Sequence, residues 1–212
     1  MMKIKYFLRL IILFLLILLP FDSANAVLNT VTAQNWVSEK GEQILHILAQ
    51  PTSAEKYASL DKILAQDVDL DHAARFAVGK YWKKMTPAQQ EQYVQLFERY
   101  IAILYRDYPL EIPAGNVQFT IDKTIMGKNK AFVWCRIFLS APQDSTEDKT
   151  TFKVLFVLAE NNKRIQVQDL KVEESSLLLA FRDRFYKMIH QDNDDEIEWF
   201  LEDLSAITEN PQ

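Results

Sequence analysis

The chain has 212 residues, with 29 acidic and 24 basic side chains, a formal charge of −5 and a hydrophobic share of 49%. An acidic balance with no Lys/Arg cluster excludes the basic footprint of a nucleic-acid binder and the polybasic segment that holds a protein on anionic headgroups. One cysteine, Cys135, excludes an intramolecular disulfide; its apolar setting, AFVWCRIF, reads as a small buried hydrophobe and not as a reactive thiol.

The chain opens with Lys3, Lys5 and Arg9, an apolar run over residues 10–19, Pro20, and the small-residue sequence Ala24-Asn25-Ala26. That is the pattern of a secretory signal peptide cleaved after Ala26. The run is about half the ~20 apolar residues that span a bilayer. Residues 27–212 are then expected to form one domain, whose formal charge becomes −7 once three basic residues and one acidic residue leave with the leader.

Two helical patterns follow, carried by Trp36, Ile44, Leu45 and Leu48, then by Tyr57, Leu60, Ile63 and Leu64, with Pro51 between them. Spacings of three and four mark amphipathic helices. A third short helix is expected from Leu70-Asp71 to Gly79, with Asp71 as its cap and His72 an exposed helix residue. Thr86 opens the longest helix, with Pro87 at the first helical position and Gln89 at the capping-box position. Its apolar stripe is Tyr93, Leu96, Phe97, Tyr100, Ile101, Leu104, Tyr105 and Tyr108. Pro109 ends it.

The period then drops to two. Val117, Phe119 and Ile121 alternate with polar residues, and AFVWCRIFLSA, TFKVLFVLA and RIQVQDLKV follow across short polar connections. Short links favour antiparallel neighbours, so a four-stranded meander is expected. Two helices close the chain. One begins at Ser175 or Ser176, either of which can cap. The other begins at Asn193, with Glu196 three residues on. Helices, an antiparallel sheet, then helices make an α+β domain. A curved sheet wrapped around a long helix forms a cone that side chains need not fill.

Catalytic and metal constellations are missing from the pattern. His46, His72 and His190 are scattered, and neither H-E-x-x-H nor C-x-x-C occurs. Asp71-His72 as an acid/base pair, or Ser175-Ser176 as a nucleophile, are the enzyme candidates, but adjacent helix residues do not face each other. The acidic run over residues 192–196 lacks calcium-loop spacing and reads as a solvated helix start. The aromatic stripe, taken alone, fits ordinary core as well as a cavity wall.

Two blocks carry a resemblance. ARFAVGKYWKKMTPAQQEQYVQLFERYIAILYRDY, residues 74–108, resembles the segment L-G-x-x-W-[KR], a Thr/Ser cap, a Gln-rich turn, then F-x-x-x-F-x-x-x-L-x-x-x-Y of the MlaC (toluene-tolerance) family. The matching residues are Gly79, Trp82, Lys83, Thr86, Gln89, Gln90, Tyr93, Phe97, Ile101 and Tyr105. QDLKVEESSLLLAFRDRF, residues 168–185, is similar to that family's D-V-x-V-x-G-V-S-L-x-x-x-Y-R-x-x-F, through Asp169, Val172, Ser176, Leu177, Phe181, Arg182 and Phe185. Glu174 and Ser175 stand where the family has Gly and Val.

The resemblance implies a cystatin-like or nuclear-transport-factor-like cone: a four-stranded antiparallel curved sheet with N- and C-terminal helices around an apolar cavity. It implies a periplasmic, non-enzymatic phospholipid carrier that holds phospholipid as cargo and needs no cofactor or metal. Its partners would be an outer-membrane lipoprotein complex and the MCE-domain protein of an inner-membrane ABC transporter, in the service of outer-membrane lipid asymmetry. The lipid would then meet Tyr81, and Tyr93, Phe97, Tyr100, Ile101, Leu104 and Tyr105 on the long helix. It would also meet Phe119, Ile121, Trp134, Phe138, Phe152, Val154, Phe156 and Val167 on the strands, and Leu177, Phe181 and Phe185 on the helix after them. Asp169 and Arg182 would be structural, orienting the last strand against that helix, with Arg182 held by a fixed partner. Three readings stand beside this one: a carrier of hopanoid or another apolar lipid, a hydrolase or isomerase with its site in the cone, and a structural adaptor with a solid core.

Overall fold

A computed structural model describes residues 28–107, 117–139 and 150–209. The leader, its junction with Val27, Tyr108, Pro109 and the polar connection 143–149 lie outside them. Helix α1, Thr30–Leu48, starts at Asn29, whose side-chain oxygen accepts the Thr32 amide at 3.0 Å while Thr32 Oγ1 accepts the Asn29 amide at 2.8 Å. Two of the N–H groups left over at a helix start are thereby satisfied. Lys56, buried on α2 (Ala54–Asp67), donates from Nζ to the carbonyls of Leu48 and Gln50 at 3.0 Å. A cation thus sits at the negative end of α1.

Helix α3, Leu70–Val78, is capped by Asp69, which accepts the His72 amide at 3.1 Å. The expected cap, Asp71, instead lies in the first turn and pairs with Arg75, one turn on, at 3.4 Å. The extra residue ahead of the apolar pattern gives Asp69 the right distance from the third amide. Gly79 ends α3 with φ +51°, a conformation glycine adopts without a Cβ clash, and a 3-10 turn, Gly79–Lys84, follows. The long helix α4, Pro87–Asp107, opens with the expected box: the Thr86 amide donates to Gln89 Oε1 at 2.9 Å and the Gln89 amide to Thr86 Oγ at 3.3 Å.

The strands are β1 (Val117–Met126), β2 (Lys130–Leu139), β3 (Thr150–Asn161), β4 (Arg164–Val172) and β5 (Ser175–Ser176), antiparallel in the order β1-β2-β3-β4-β5. Among the described residues the sheet therefore has five strands, one more than the pattern predicts. The fifth is two residues long, too short for a period-two signal, and forms because the turn at Glu173 (φ 53°) folds Ser175 and Ser176 back onto Val172 and Lys171. Two bulges bend the sheet. One leaves Asp122 unmatched on β1, where it takes Arg136 at 2.7 Å. The other leaves Gln168 unmatched on β4.

Ser176 caps α5, Leu177–Lys187, accepting the Leu179 amide at 3.1 Å. A π-helical turn, Met188–Asp192, extends it, and α6 runs Ile197–Glu209. The last helix therefore starts four residues after the expected cap, Asn193. That side chain is buried and donates to the Met188 carbonyl at 3.0 Å and to Asp203 at 2.9 Å, while Asp194 and Asp195 turn the chain with positive φ.

Two apolar cores result. One is helical, built from α3 to α6 around Tyr81, Tyr93, Phe97, Phe185 and Phe200. The other joins α1 to the inner face of the sheet, with Ala33 and Val37 against Ala131, Val133, Cys135 and Leu158. Gly41 lets α1 approach closely, since a Cβ there would meet the Phe119 ring at 3.4 Å. The fold is α+β, an open antiparallel sheet with flanking helices.

Candidate functional site

A cavity of about 220 Å3 lies at the seam of the two cores. Trp36 and Ile44 of α1, Ile63 and Leu64 of α2, and Leu70 and Ala73 of α3 wall one side. Phe97 and Ile101 of α4 meet Phe156 and Val167 of the sheet across it, and Leu177, Leu178 and Phe181 of α5 complete it. It exists because Phe97 and Phe181 pack into the helical core while Phe156 and Val167 pack into the sheet core. Neither set spans the gap between them.

Six of the residues expected to meet lipid line this cavity: Phe97, Ile101, Phe156, Val167, Leu177 and Phe181. Tyr81, Tyr93 and Phe185 do not; each is fully buried in the helical core. Tyr93 stacks edge-on to Phe185 with centroids 6.1 Å apart and donates its hydroxyl to the Ala74 carbonyl at 3.0 Å. Tyr100 packs on Phe185 at 5.2 Å and joins the same core. Phe119 and Ile121 pack in the sheet core, and Val154 is buried opposite Cys135 and Val172. Leu104 is half-buried, and the side chain of Tyr105 lies outside the described part.

Trp134 and Phe138 alternate with Val133 and Cys135, so they occupy the other face of the sheet. Lys123 sits over the Trp134 ring at 4.4 Å and Arg136 near the Phe138 ring at 5.6 Å. AFVWCRIF is apolar on both faces, which hid the direction of its alternation. Phe152 is 36% exposed. The walls contributed by α1 to α3 carried a visible signal, their three- and four-residue spacing, but nothing in that spacing distinguishes a face that packs from one that borders a gap.

Polar groups gather at the edge of the cavity on the α1–α2 side. Lys40 Nζ meets Asp67 Oδ2 at 2.8 Å, with side chains only 20% and 13% exposed. Val68 forms a parallel bridge with Val167, and the Asp69 amide donates to the Val167 carbonyl at 2.9 Å, which fixes the end of α2 beside the β4 bulge. Gln168, unmatched at that bulge, donates from Nε2 to Asp69 at 3.0 Å. Its Oε1 is the one buried side-chain polar atom without a partner among the described residues, and it belongs to a cavity-lining residue.

The catalytic candidates do not assemble. Asp71 is paired to Arg75, and His72 stacks near Phe76 at 6.3 Å. Half-burial, not the exposure expected, holds His72 below the usual histidine range, with Asp69 opposing the shift. Ser176 donates to Asp169 at 2.7 Å and accepts the Leu179 amide, the bonding of a cap and not of a nucleophile facing a base. Burial pushes the Cys135 thiol up to about 12, so it stays protonated and inert. Asp195 accepts the Tyr81 hydroxyl and contacts His190 at 3.2 Å, joining the 3-10 turn to the π-helical turn. Among the described residues no three His, Cys, Asp or Glu side chains form a group that could hold a metal, and no helix is long and apolar enough to cross a membrane.

A family model described as MlaC protein matches residues 38–205. No curated protein matches the chain. Among solved structures, the phospholipid-binding protein from Ralstonia solanacearum, in complex with a phospholipid, superposes with a TM-score of 0.66 over 84% of this chain and 99% of that one, at 14% identity. An NTF-2 like protein of unknown function from Shewanella oneidensis covers 36% of this chain and 61% of its own, at 18% identity and a TM-score of 0.28, too slight a likeness to bear on the fold.

Proposed function

The chain belongs to the MlaC family, and from that premise we propose that it is a phospholipid-binding carrier, a single lipid-binding domain over residues 27–212 that works in the periplasm after removal of its leader. The observation that carries this reading is the apolar cavity where Phe97, Ile101 and Phe181 face Phe156 and Val167. The fold it shares with a protein solved with a phospholipid supports it.

Two acyl chains of about sixteen carbons hold about thirty methylenes, and at about 0.8 kcal/mol each their passage through water is opposed by about 24 kcal/mol. A soluble carrier removes that barrier only while the chains stay covered. Release then requires docking against another apolar groove, which fits partners at the two membranes: an outer-membrane lipoprotein complex and an inner-membrane MCE-domain protein with its ABC transporter.

Protein purified without detergent, extracted and analysed by mass spectrometry, tests the reading. A glycerophospholipid in the extract supports it. A hopanoid supports the apolar-lipid alternative, and a lipid-free protein that also takes none from vesicles contradicts both.

A further inference from the structure

The apolar cavity has a polar neighbour. An open depression of about 430 Å3 is lined by Glu39, Gln66, Arg164 and Ile165, together with Trp36, Lys40 and Asp67. The last three also line the apolar cavity. The two hollows therefore meet along one lip, and the ion pair of Lys40 and Asp67 stands on it. We propose that this lip is the seat of the lipid headgroup, and that it fits a zwitterionic phospholipid, with the phosphate on Lys40 and Arg164 and the ammonium on Asp67 and Glu39.

The proposal rests on the carrier reading and adds the recognition of one headgroup class. Chains held between Phe97 and Phe156 bring the glycerophosphate out where the apolar lining ends, and the shared lip is such a boundary. Trp36 lies on both sides of it, and an indole suits a place where one edge is apolar and the other wet. The charges decide the class. Lys40 and Asp67 are largely buried and satisfy each other, and drawing one of them to a ligand leaves the other buried and unpaired, which is strongly unfavourable. An anionic headgroup such as phosphatidylglycerol answers only the cations and stands beside two carboxylates. A headgroup carrying both signs exchanges one ion pair for two, so each buried charge keeps a partner.

The test uses purified protein stripped of lipid and offered vesicles of equal phosphatidylethanolamine, phosphatidylglycerol and diacylglycerol with identical acyl chains, the bound fraction being read by mass spectrometry. Phosphatidylethanolamine should load in preference to phosphatidylglycerol by about fivefold, the ratio that about 1 kcal/mol from a partly exposed charge pair provides, and diacylglycerol least. Glu39→Gln with Arg164→Gln changes only exposed side chains and leaves the buried pair in place; it should bring the ratio towards one. Lys40→Met with Asp67→Leu removes both buried charges together and should abolish the preference. Equal loading of all three lipids, unchanged in either variant, overturns the headgroup seat and leaves the carrier reading standing. A preference for phosphatidylglycerol overturns it as well. Loading of none of the three overturns the carrier reading and the seat together.

Discussion

The Asp169 carboxylate takes the Ser176 hydroxyl at 2.7 Å and the Leu178 amide at 3.2 Å, so one side chain on β4 anchors the first turn of α5. The anchor matters because α5 brings Leu177, Leu178 and Phe181 to the cavity. Asp169→Ala should lower unfolding stability by about 1–3 kcal/mol, the range for a charge-assisted bond together with a lost cap. Asp169→Asn keeps an acceptor and should restore part of it. Urea denaturation of the lipid-free protein measures both, and an Ala variant as stable as the parent contradicts the assignment.

Arg182 was expected to need a fixed partner, and the structure provides a ring instead of a carboxylate. Its guanidinium lies 5.2 Å from the Phe76 ring and within 3.4 Å of where a Cβ on Gly79 would stand. Among the described residues it makes no ion pair, and it is exposed. Exposed cation–π contacts contribute about 0.5–1 kcal/mol, so Arg182→Ala should destabilise by no more than about that amount, with lipid content unchanged. A loss above about 2 kcal/mol, outside that range, would mean a stronger role.

How much of this was legible in the sequence follows from what each signal encodes. The box at Thr86 and Gln89 was readable because capping depends on local spacing, and the period change at Val117 because pleating is local too. Spacing alone favours Asp71 over Asp69 and offers Asn193 as a cap, because several acidic or amide residues stand within one turn and only tertiary geometry chooses among them. The π-helical turn at Met188–Asp192 leaves no pattern in side-chain chemistry. The apolar stripe on α4 divides, with Tyr93 in solid core and Ile101 on the cavity. Eight residues separate them at helical spacing, and which apolar residue borders a gap depends on how two distant cores fail to meet.

Burial lowers the proton affinity of His72 in the folded state. Between its folded value and the unfolded value near 6.5, the unfolded chain binds more protons, so stability rises with pH through that window and is complete above it. Falling pH should therefore weaken the fold as it drops below about 6.5, and His72→Gln should remove part of that slope. Midpoints of urea unfolding from pH 7.5 to 5.5 for both proteins give the comparison, and parallel curves contradict the claim.

Core and cavity wall should answer truncation differently. Phe185 is fully buried among Tyr93, Phe97, Tyr100 and Phe200, and Phe185→Ala should cost about 3–5 kcal/mol. Leu177 lines the cavity yet is 40% exposed. Leu177→Ala should cost less than about 1 kcal/mol and lower lipid retention instead. Equal losses at the two sites would mean that Leu177 packs as core.

Filling the cavity tests the central claim most directly. Ile101 is half-buried on the cavity wall, whereas Val154 is buried between β2 and β4 and does not line the cavity. Overfilling packed interior typically costs about 1–3 kcal/mol, so Val154→Trp should be destabilising by that amount, while Ile101→Trp enters empty volume and should leave the lipid-free protein within about 1 kcal/mol of the parent. The measurement is bound phospholipid per chain in Ile101→Trp, purified without detergent beside the parent. A lipid carrier predicts a loaded parent and a largely empty variant of near-parental stability. A parent that carries no lipid, with Ile101→Trp as destabilising as Val154→Trp, would contradict it.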